Sequence, residues 1–450
     1  MIVFRNNCSE KLKFVFLFIL LVDFFCIGCE KKKCSQCADT QMYMVVKLSA
    51  NSIVQPPTGQ WRIVFSIKRE ILANCKNFSP QDTTFWEKKI SEQQENVWVK
   101  LCVSQLLLDS STKAESFLLR KIYSDDFIVR VNAVDSIVMH LEAGKSNTVL
   151  MEALVSVIDK GLLETKKTSM KNRDVQIVAS QVSMELIPRI CDLFVDRKVY
   201  KGVSALISAL KRNPNQKGIA LALGDLQAFD AKDILLQNFI GRKGYDFEEV
   251  TALGKLQAVE AIPYLGKALV IPDMKFDGFN VLSADTIVNA LIAIAHPSAI
   301  PYIKSYEKSV YTVEDKSKAI AAITQLSSGS PQRTLKELYD DEDDPISKAA
   351  ILKSAGKMKE VDISEMLYLI ANTSNSAFLR KEAIAALGER CDISSQSRLG
   401  ALLSNNFPSS LDFSMGWKNS PKDANSYFRH LIQDKLDICR EVLLGNVDSN

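Results

Sequence analysis

Arg380-Lys381-Glu382-Ala383-Ile384-Ala385-Ala386-Leu387-Gly388 is the stretch that decides the fold. Its apolar positions Ala383, Ile384 and Leu387 lie at i, i+1 and i+4, a spacing that puts three side chains on one face of a helix. The same pattern stands 32 residues upstream as Lys348, Ile351, Leu352, Ala355 and Gly356, and 32 further as Lys316, Ala319, Ile320, Ile323 and Thr324. No gap is needed to align the three. A helix that repeats at a fixed period and is apolar on one face buries that face against its own copies, which is the logic of a repeat array.

Working outward from this stretch, the paired apolar positions recur as Ile287, Val288 and Leu291, then Glu249, Val250 and Leu253, then Ile219, Ala220 and Leu223. Further upstream come Val178, Ala179 and Val182, then Arg130, Ala133, Val134 and Ile137, with Val103 and Leu107 as a degenerate first copy. A second helix follows each first one. Ala261-Ile262-Pro263-Tyr264-Leu265 shows it most clearly and is echoed by Ala299-Ile300-Pro301-Tyr302-Ile303, with proline in the first turn where a missing N–H costs nothing. Each copy is a helical hairpin. Composition agrees with an all-α chain: 47% of residues are hydrophobic, only 8% aromatic, with 18 Gly and 13 Pro in 450 residues. A chain of that length is too long for one compact core, and an array needs none.

Asp125, Val129, Arg130, Ala133 and Ile137, the Asp344-Pro345 start ahead of Lys348, and the Leu-Gly endings at Leu223-Gly224 and Leu387-Gly388 resemble HEAT repeats of the phycobilin-lyase-like class. The resemblance covers residues 96 to 403. It implies an α-solenoid, a right-handed superhelix of HEAT-like hairpins whose concave face is lined by the second helices. It also implies that Asp344, and Asp125 or Asp126, cap first helices, while Lys348 and Arg130 tie adjacent repeats together. Asp246 and Ala284 stand where other copies carry the basic residue, so stacking there is expected to rest on apolar contact alone.

The ends read differently. Arg5, Lys11 and Lys13 precede a nine-residue apolar run, Phe14 to Val22, and Gly28-Cys29 follows. The run is too short for a mature membrane span, which needs about 20 residues, and the layout is that of a signal peptide. Gly28-Cys29 resembles the lipobox of bacterial lipoproteins, although Cys26 replaces the usual Leu. The resemblance implies a lipid on Cys29 and a chain exported to the bacterial cell envelope, on a periplasmic or surface face. The expected organisation is a signal peptide over 1–28, a lipid-proximal linker over 29–40, a lead-in or cap region over 41–95, the solenoid over 96–403, and a loop with a C-terminal capping helix over 404–450.

In the linker, Cys34 and Cys37 read as a structural disulfide or as two inert thiols, with a redox pair as the third option. Setting aside Cys8, Cys26 and Cys29 leaves an odd number of cysteines. Of these Cys102, Cys191, Cys391 and Cys439 fall in apolar helical patterns and are expected to be buried free thiols. The span 38–95 is the least legible: Trp61, Ile63, Phe65 and Ile67 alternate like a strand and run into the helix-favouring Lys68 to Ala73. At the other end, Ser420-Pro421-Lys422-Asp423 resembles a capping box ahead of a polar terminal helix.

Chemistry-bearing motifs are sparse. Fifty-six basic against 53 acidic side chains give no global attraction to nucleic acid. His140, His296 and His430 are isolated and none belongs to a His-Glu pair, so no metal centre is expected. The acidic run Asp340 to Asp344 lacks the ligand alternation and glycine of a calcium loop and reads as a solvated turn that caps the next helix. Trp417, beside Phe413 and Met415, is either an exposed anchor for a partner or packs onto the last repeat. No catalytic residue, metal or cofactor is assigned. The expected role is a non-enzymatic scaffold for an unknown protein or peptide partner, held to a membrane by an N-terminal lipid, without nucleic acid. The alternative is an enzyme or cofactor-handling protein whose site lies in residues 38–95 or on the concave face.

Overall fold

The computed structural model describes residues 83–93, 97–164, 176, 179–180, 182–241, 247–270, 283–408, 411–415 and 423–445. Cys29, the signal segment, Cys34, Cys37, Trp61, Val178, Asp246, Trp417 and Ser420 to Lys422 fall outside them, as do the side chains of Trp98 and Cys102. Within the described residues the chain is all-α: helices throughout, and a single isolated bridge in place of any strand.

Two compact units divide at Leu226/Gln227. The first contains α1 (Thr83–Ser91), α2 (Val97–Leu106), α3 (Thr112–Lys121), α4 (Phe127–Glu142), α5 (Thr148–Asp159), α6 (Ile187–Asp196), α7 (Val203–Arg212) and α8 (Ile219–Asp225). In the second lie α9 (Lys232–Gly241), α10 (Phe247–Lys255), α11 (Ile262–Val270), α12 (Ala284–Ile294), α13 (Ile300–Ser309), α14 (Val313–Leu326), α15 (Pro331–Asp340), α16 (Pro345–Lys357), α17 (Ser364–Thr373), α18 (Ala377–Arg390), α19 (Ile393–Leu403) and α20 (Ala424–Gly445).

From α2 to α19, even-numbered helices are the first and odd-numbered the second of each hairpin. Within each unit, first helices stack on first helices (α2 on α4, α4 on α6, α10 on α12, α12 on α14, α14 on α16, α16 on α18), and second helices on second (α5 on α7, α11 on α13, α17 on α19). This is solenoid packing, in which each hairpin buries its stripe against its neighbours. The stripe read from the sequence is the core: Ala383, Ile384 and Leu387, Ile351, Leu352 and Ala355, Ala319, Ile320 and Ile323, and the equivalent described residues back to Val103 and Leu107 are buried, apart from the half-buried Ala179. The doubtful first copy is therefore a genuine first helix, α2. Ahead of it, α1 packs on α2 and α3 with Trp86 sealed from solvent, so helical packing begins before residue 96.

The glycines that end the first-helix motif let helices touch. A Cβ on Gly356 of α16 would stand 2.9 Å from the Ala386 Cα of α18, and one on Gly254 of α10 would stand 2.9 Å from the Ala290 Cα of α12. A π-helical turn at Val182–Leu186 leads into α6. Caps follow the side-chain chemistry expected at helix starts. Asp126 accepts from Ile128 N and Val129 N, and Asp344 from Ile346 N and Ser347 N, so at the Asp125-Asp126 pair the second residue is the cap.

The expectation of free thiols fails for one pair. Cys391 and Cys439 are not free thiols: they form a disulfide with Cα atoms 5.0 Å apart, joining the end of α18 to α20. Helical periodicity buries a cysteine but says nothing of what faces it from an element 48 residues away. Cys191 is a buried thiol, as expected. At the start of α20, Asp423 Oδ1 accepts from Asn425 N, and the helix is polar outward while Phe428, Ile432, Leu436 and Cys439 are buried.

Candidate functional site

The basic residues of the first helices are structural ties. Arg380, buried in α18, donates from Nη1 to Ala371 O at 3.0 Å and from Nε to Ser374 O, reaching the end of the preceding second helix. Lys316 in α14 does the same toward α13, with Nζ 3.1 Å from Glu307 O and 3.0 Å from Glu307 Oε1. Lys348 lies over the Tyr339 ring of α15 at 4.9 Å, and Arg130 donates to Ser124 O and to Leu162 O. Burial lowers the pKa values of Arg130 and Arg380. Where Ala284 replaces the basic residue, the seam is not apolar alone: Asp285 of α12 pairs with Lys318 of α14 at 2.7 Å. The ion pair forms one position along, which the residue at 284 could not reveal.

A second set of arginines went unread in the sequence. Arg197 donates to Leu141 O at 2.7 Å, Arg212 to Ile158 O and Asp159 O, and Arg390 to Met358 O and Ala355 O. Each stands at a helix end and satisfies terminal carbonyls of the like helix one repeat back, where the helix dipole is negative. Arginine in or just past the last turn of successive helices was the available signal. Nearby, Arg189 grips Glu142 through two nitrogens and Asp135 at 2.8 Å in a cleft of about 590 Å³ lined also by Asp192 and Asp196. Burial opposes the charge of Arg189, but the bonds to Glu142 and the charge of Asp135 outweigh it and hold the guanidinium above its ordinary value. Asp192 is pushed up by burial and by Asp196, Glu142 and Asp225.

The histidines are scattered as expected. His140, half-buried on α4, has Nε2 3.7 Å from Asp109; His296 accepts from Ser298 N; His430 lies on α20. Burial lowers the pKa of His140. The acidic run ends in the Asp344 cap, with Glu342 accepting from Asp343 N and Asp344 N. Phe413 packs against the core of the last repeats.

The feature that faces outward is the turn inside four hairpins. Each first helix ends on a left-handed residue that is not glycine: Lys198 (φ 52°), Gln227 (φ 53°), Gln257 (φ 53°) and Ala295 (φ 57°). At Gln257 the closing bonds are Ala258 N to Leu253 O and Gln257 N to Gly254 O, the paired pattern of a Schellman end. A 3-10 turn follows each time, over Tyr200–Gly202, Phe229–Ala231, Val259–Ala261 and Pro297–Ala299, and runs straight into the second helix. Small residues Gly202, Ala231, Ala261 and Ala299 point inward and are buried. The first residue of each 3-10 turn is thrown outward: Tyr200 is 63% exposed, Phe229 54% and Val259 39%, with Pro297 exposed as well.

In the second unit these turns are neighbours. Gln227 Nε2 donates to Lys255 O at 3.3 Å and Lys232 Nζ to Gln257 O at 3.4 Å, tying the Phe229 turn to the Val259 turn. Lys232 also sits over the Phe229 ring at 5.3 Å. The second helices beyond come close enough that a Cβ on Gly266 would stand 2.2 Å from the Tyr302 ring. The repeated Leu-Gln-Ala at Leu226 to Ala228 and Leu256 to Ala258 was the sequence signal for the turn.

No protein-family model matches the chain, and no curated protein does. Among solved structures, the chain is similar to one titled "Crystal structure of Kap121p bound to Pho4p", at 11% identity and a TM-score of 0.34, over 90% of this chain and 43% of that one. The chain thus spans less than half the length of that protein, and likeness at this score carries no inference about function.

Proposed function

We propose that the chain is a lipid-anchored scaffold of the bacterial cell envelope that binds a protein or peptide partner along the turn edge of its helical array, and that it is not an enzyme. The observation that carries the binding reading is the exposed apolar residue at one equivalent position of consecutive turns, Phe229 and then Val259, with Tyr200 and Pro297 in turns of the same build. Apolar surface left in water on a turn adds little to its own core, and a contiguous exposed apolar patch marks an interaction site. Photo-crosslinking amino acids at Phe229 and Val259 are expected to capture the same partner from envelope extracts, while one at Asp340 captures none. Different or no partners at 229 and 259 would sink the reading.

The anchor rests on Arg5, Lys11, Lys13, the Phe14 to Val22 run and Gly28-Cys29. Cys29→Ser is expected to abolish palmitate labelling and release the protein from membranes. Continued labelling would remove the lipid from the proposal and leave the binding face standing.

A further inference from the structure

The last first-helix, α18, ends on Cys391 in the left-handed region (φ 51°), a conformation that a residue with a Cβ adopts only when its surroundings hold it. Its disulfide partner Cys439 lies on α20, fully buried, while Cys391 is half-buried. The two halves of α20 are secured differently. The first half is locked by packing: Phe428 meets the Phe407 ring at 4.9 Å, and Asn425 Oδ1 accepts from Phe407 N at 2.8 Å. Past Leu436, among the described side chains up to Val442, Ile438 and Val442 are exposed and Cys439 is buried. The disulfide is therefore a covalent attachment of the second half of α20 to the end of α18, and Cys391 is its less buried cysteine.

We propose that Cys391–Cys439 is a redox-sensitive clasp that closes α20 over the end of α18, and that reduction frees residues 436–445 while the first half of α20 stays docked. The reaction takes an external dithiol. Its thiolate attacks Cys391 Sγ, the Cys391–Cys439 bond breaks, Cys439 leaves as a thiolate and is protonated, and the second thiol of the reductant resolves the mixed disulfide. Two electrons and two protons end on the cysteines, and the reductant leaves as a disulfide. The clasp persists in an oxidising compartment, the same setting that export provides, but does not depend on the lipid anchor.

Peptide mapping of the full chain, alkylated in denaturant without reductant, is expected to recover Cys391 and Cys439 cross-linked. After native treatment with dithiothreitol, amide exchange of residues 436–445 is expected to rise roughly tenfold or more, with 424–432 and α14 to α18 unchanged. Cys391→Ser should show the raised exchange without reductant. Recovery of both cysteines alkylated, exchange of 436–445 unmoved after confirmed reduction, or a rise spread evenly from α14 to α20 would each overturn the clasp.

Discussion

Two kinds of repeat share the second unit. In the hairpins of α9 to α13 the first-to-second connection is the left-handed and 3-10 turn, the buried basic residue is missing where Ala284 stands, and neighbouring turns are joined by Gln227 and Lys232. From α14 to α19, second helices α15 and α19 start at the side-chain caps Ser330 and Asp392, and Lys316, Lys348 and Arg380 tie each first helix to the second helix before it. One kind spends its turn on an outward apolar residue; the other invests a buried cation in its own seam. The contrast separates the proposed binding edge from a base tied by its own cations, although both stack first helices through the same glycine-alanine contact.

The largest effects test what the two kinds share. Gly356→Val and Gly254→Val each force a side chain into the backbone of the next first helix, at Ala386 and Ala290. Overpacking of this kind costs about 1–3 kcal/mol or more. Urea unfolding is expected to show similar losses for both. A loss confined to Gly356 would mean that the turn-built repeats are loose enough to separate, and would break the claim of a common seam.

Next comes the tie itself. Arg380→Met keeps the apolar stem but leaves the carbonyls of Ala371 and Ser374 without their donor in a buried place. Losing a buried partner costs about 1–3 kcal/mol per group, more where charge assists. Thermal unfolding is expected to fall by several degrees, whereas Lys348→Met, which removes only a stacking cation, should cost about 1 kcal/mol or less.

A smaller effect lies on the surface of the tie-built repeats. Glu314 of α14 receives hydrogen bonds from Lys353 and Lys357 of α16, which hold its carboxyl down at about 2 against a usual 4.5. A carboxylate depressed on folding adds stability that is fully present above about pH 4.5 and is lost as pH falls toward 2. All three side chains are over a third exposed, so solvent and salt reduce the gain. Glu314→Gln is expected to flatten the fall in stability between pH 4.5 and 2, and 1 M salt should shrink the difference. No change in slope would show that the pair only decorates the seam.

The 32-residue kind was fully legible because its first helices carry both an apolar stripe and a basic residue at fixed offsets, as at Lys348 and Arg380, and both are local properties of one helix. Asp344 was legible as a cap for the same reason. Three things were not. The Cys391–Cys439 bond depends on where α20 comes to rest, the Arg390 cap on a carbonyl 32 residues away, and the outward throw of Phe229 on a backbone angle at Gln227 that no hydrophobic period encodes. The sequence reading placed the partner face on the second helices, while the exposed apolar ladder lies at the turns that lead into them.

The smallest expected effect on the fold is the sharpest test of the contrast. Phe229 is 54% and Val259 39% exposed, so Phe229→Ser and Val259→Ser each give up only part of a side chain's burial and should cost about 1 kcal/mol or less. The buried Ala231 and Ala261 and the Gln227 and Gln257 bends would keep the turns in place. With a crosslinker kept at Pro297, the double variant is expected to lose the partner while unfolding close to the wild-type midpoint. If it instead unfolds earlier by several kcal/mol, these residues serve the array itself, and the distinction between a binding edge and a cation-tied base disappears.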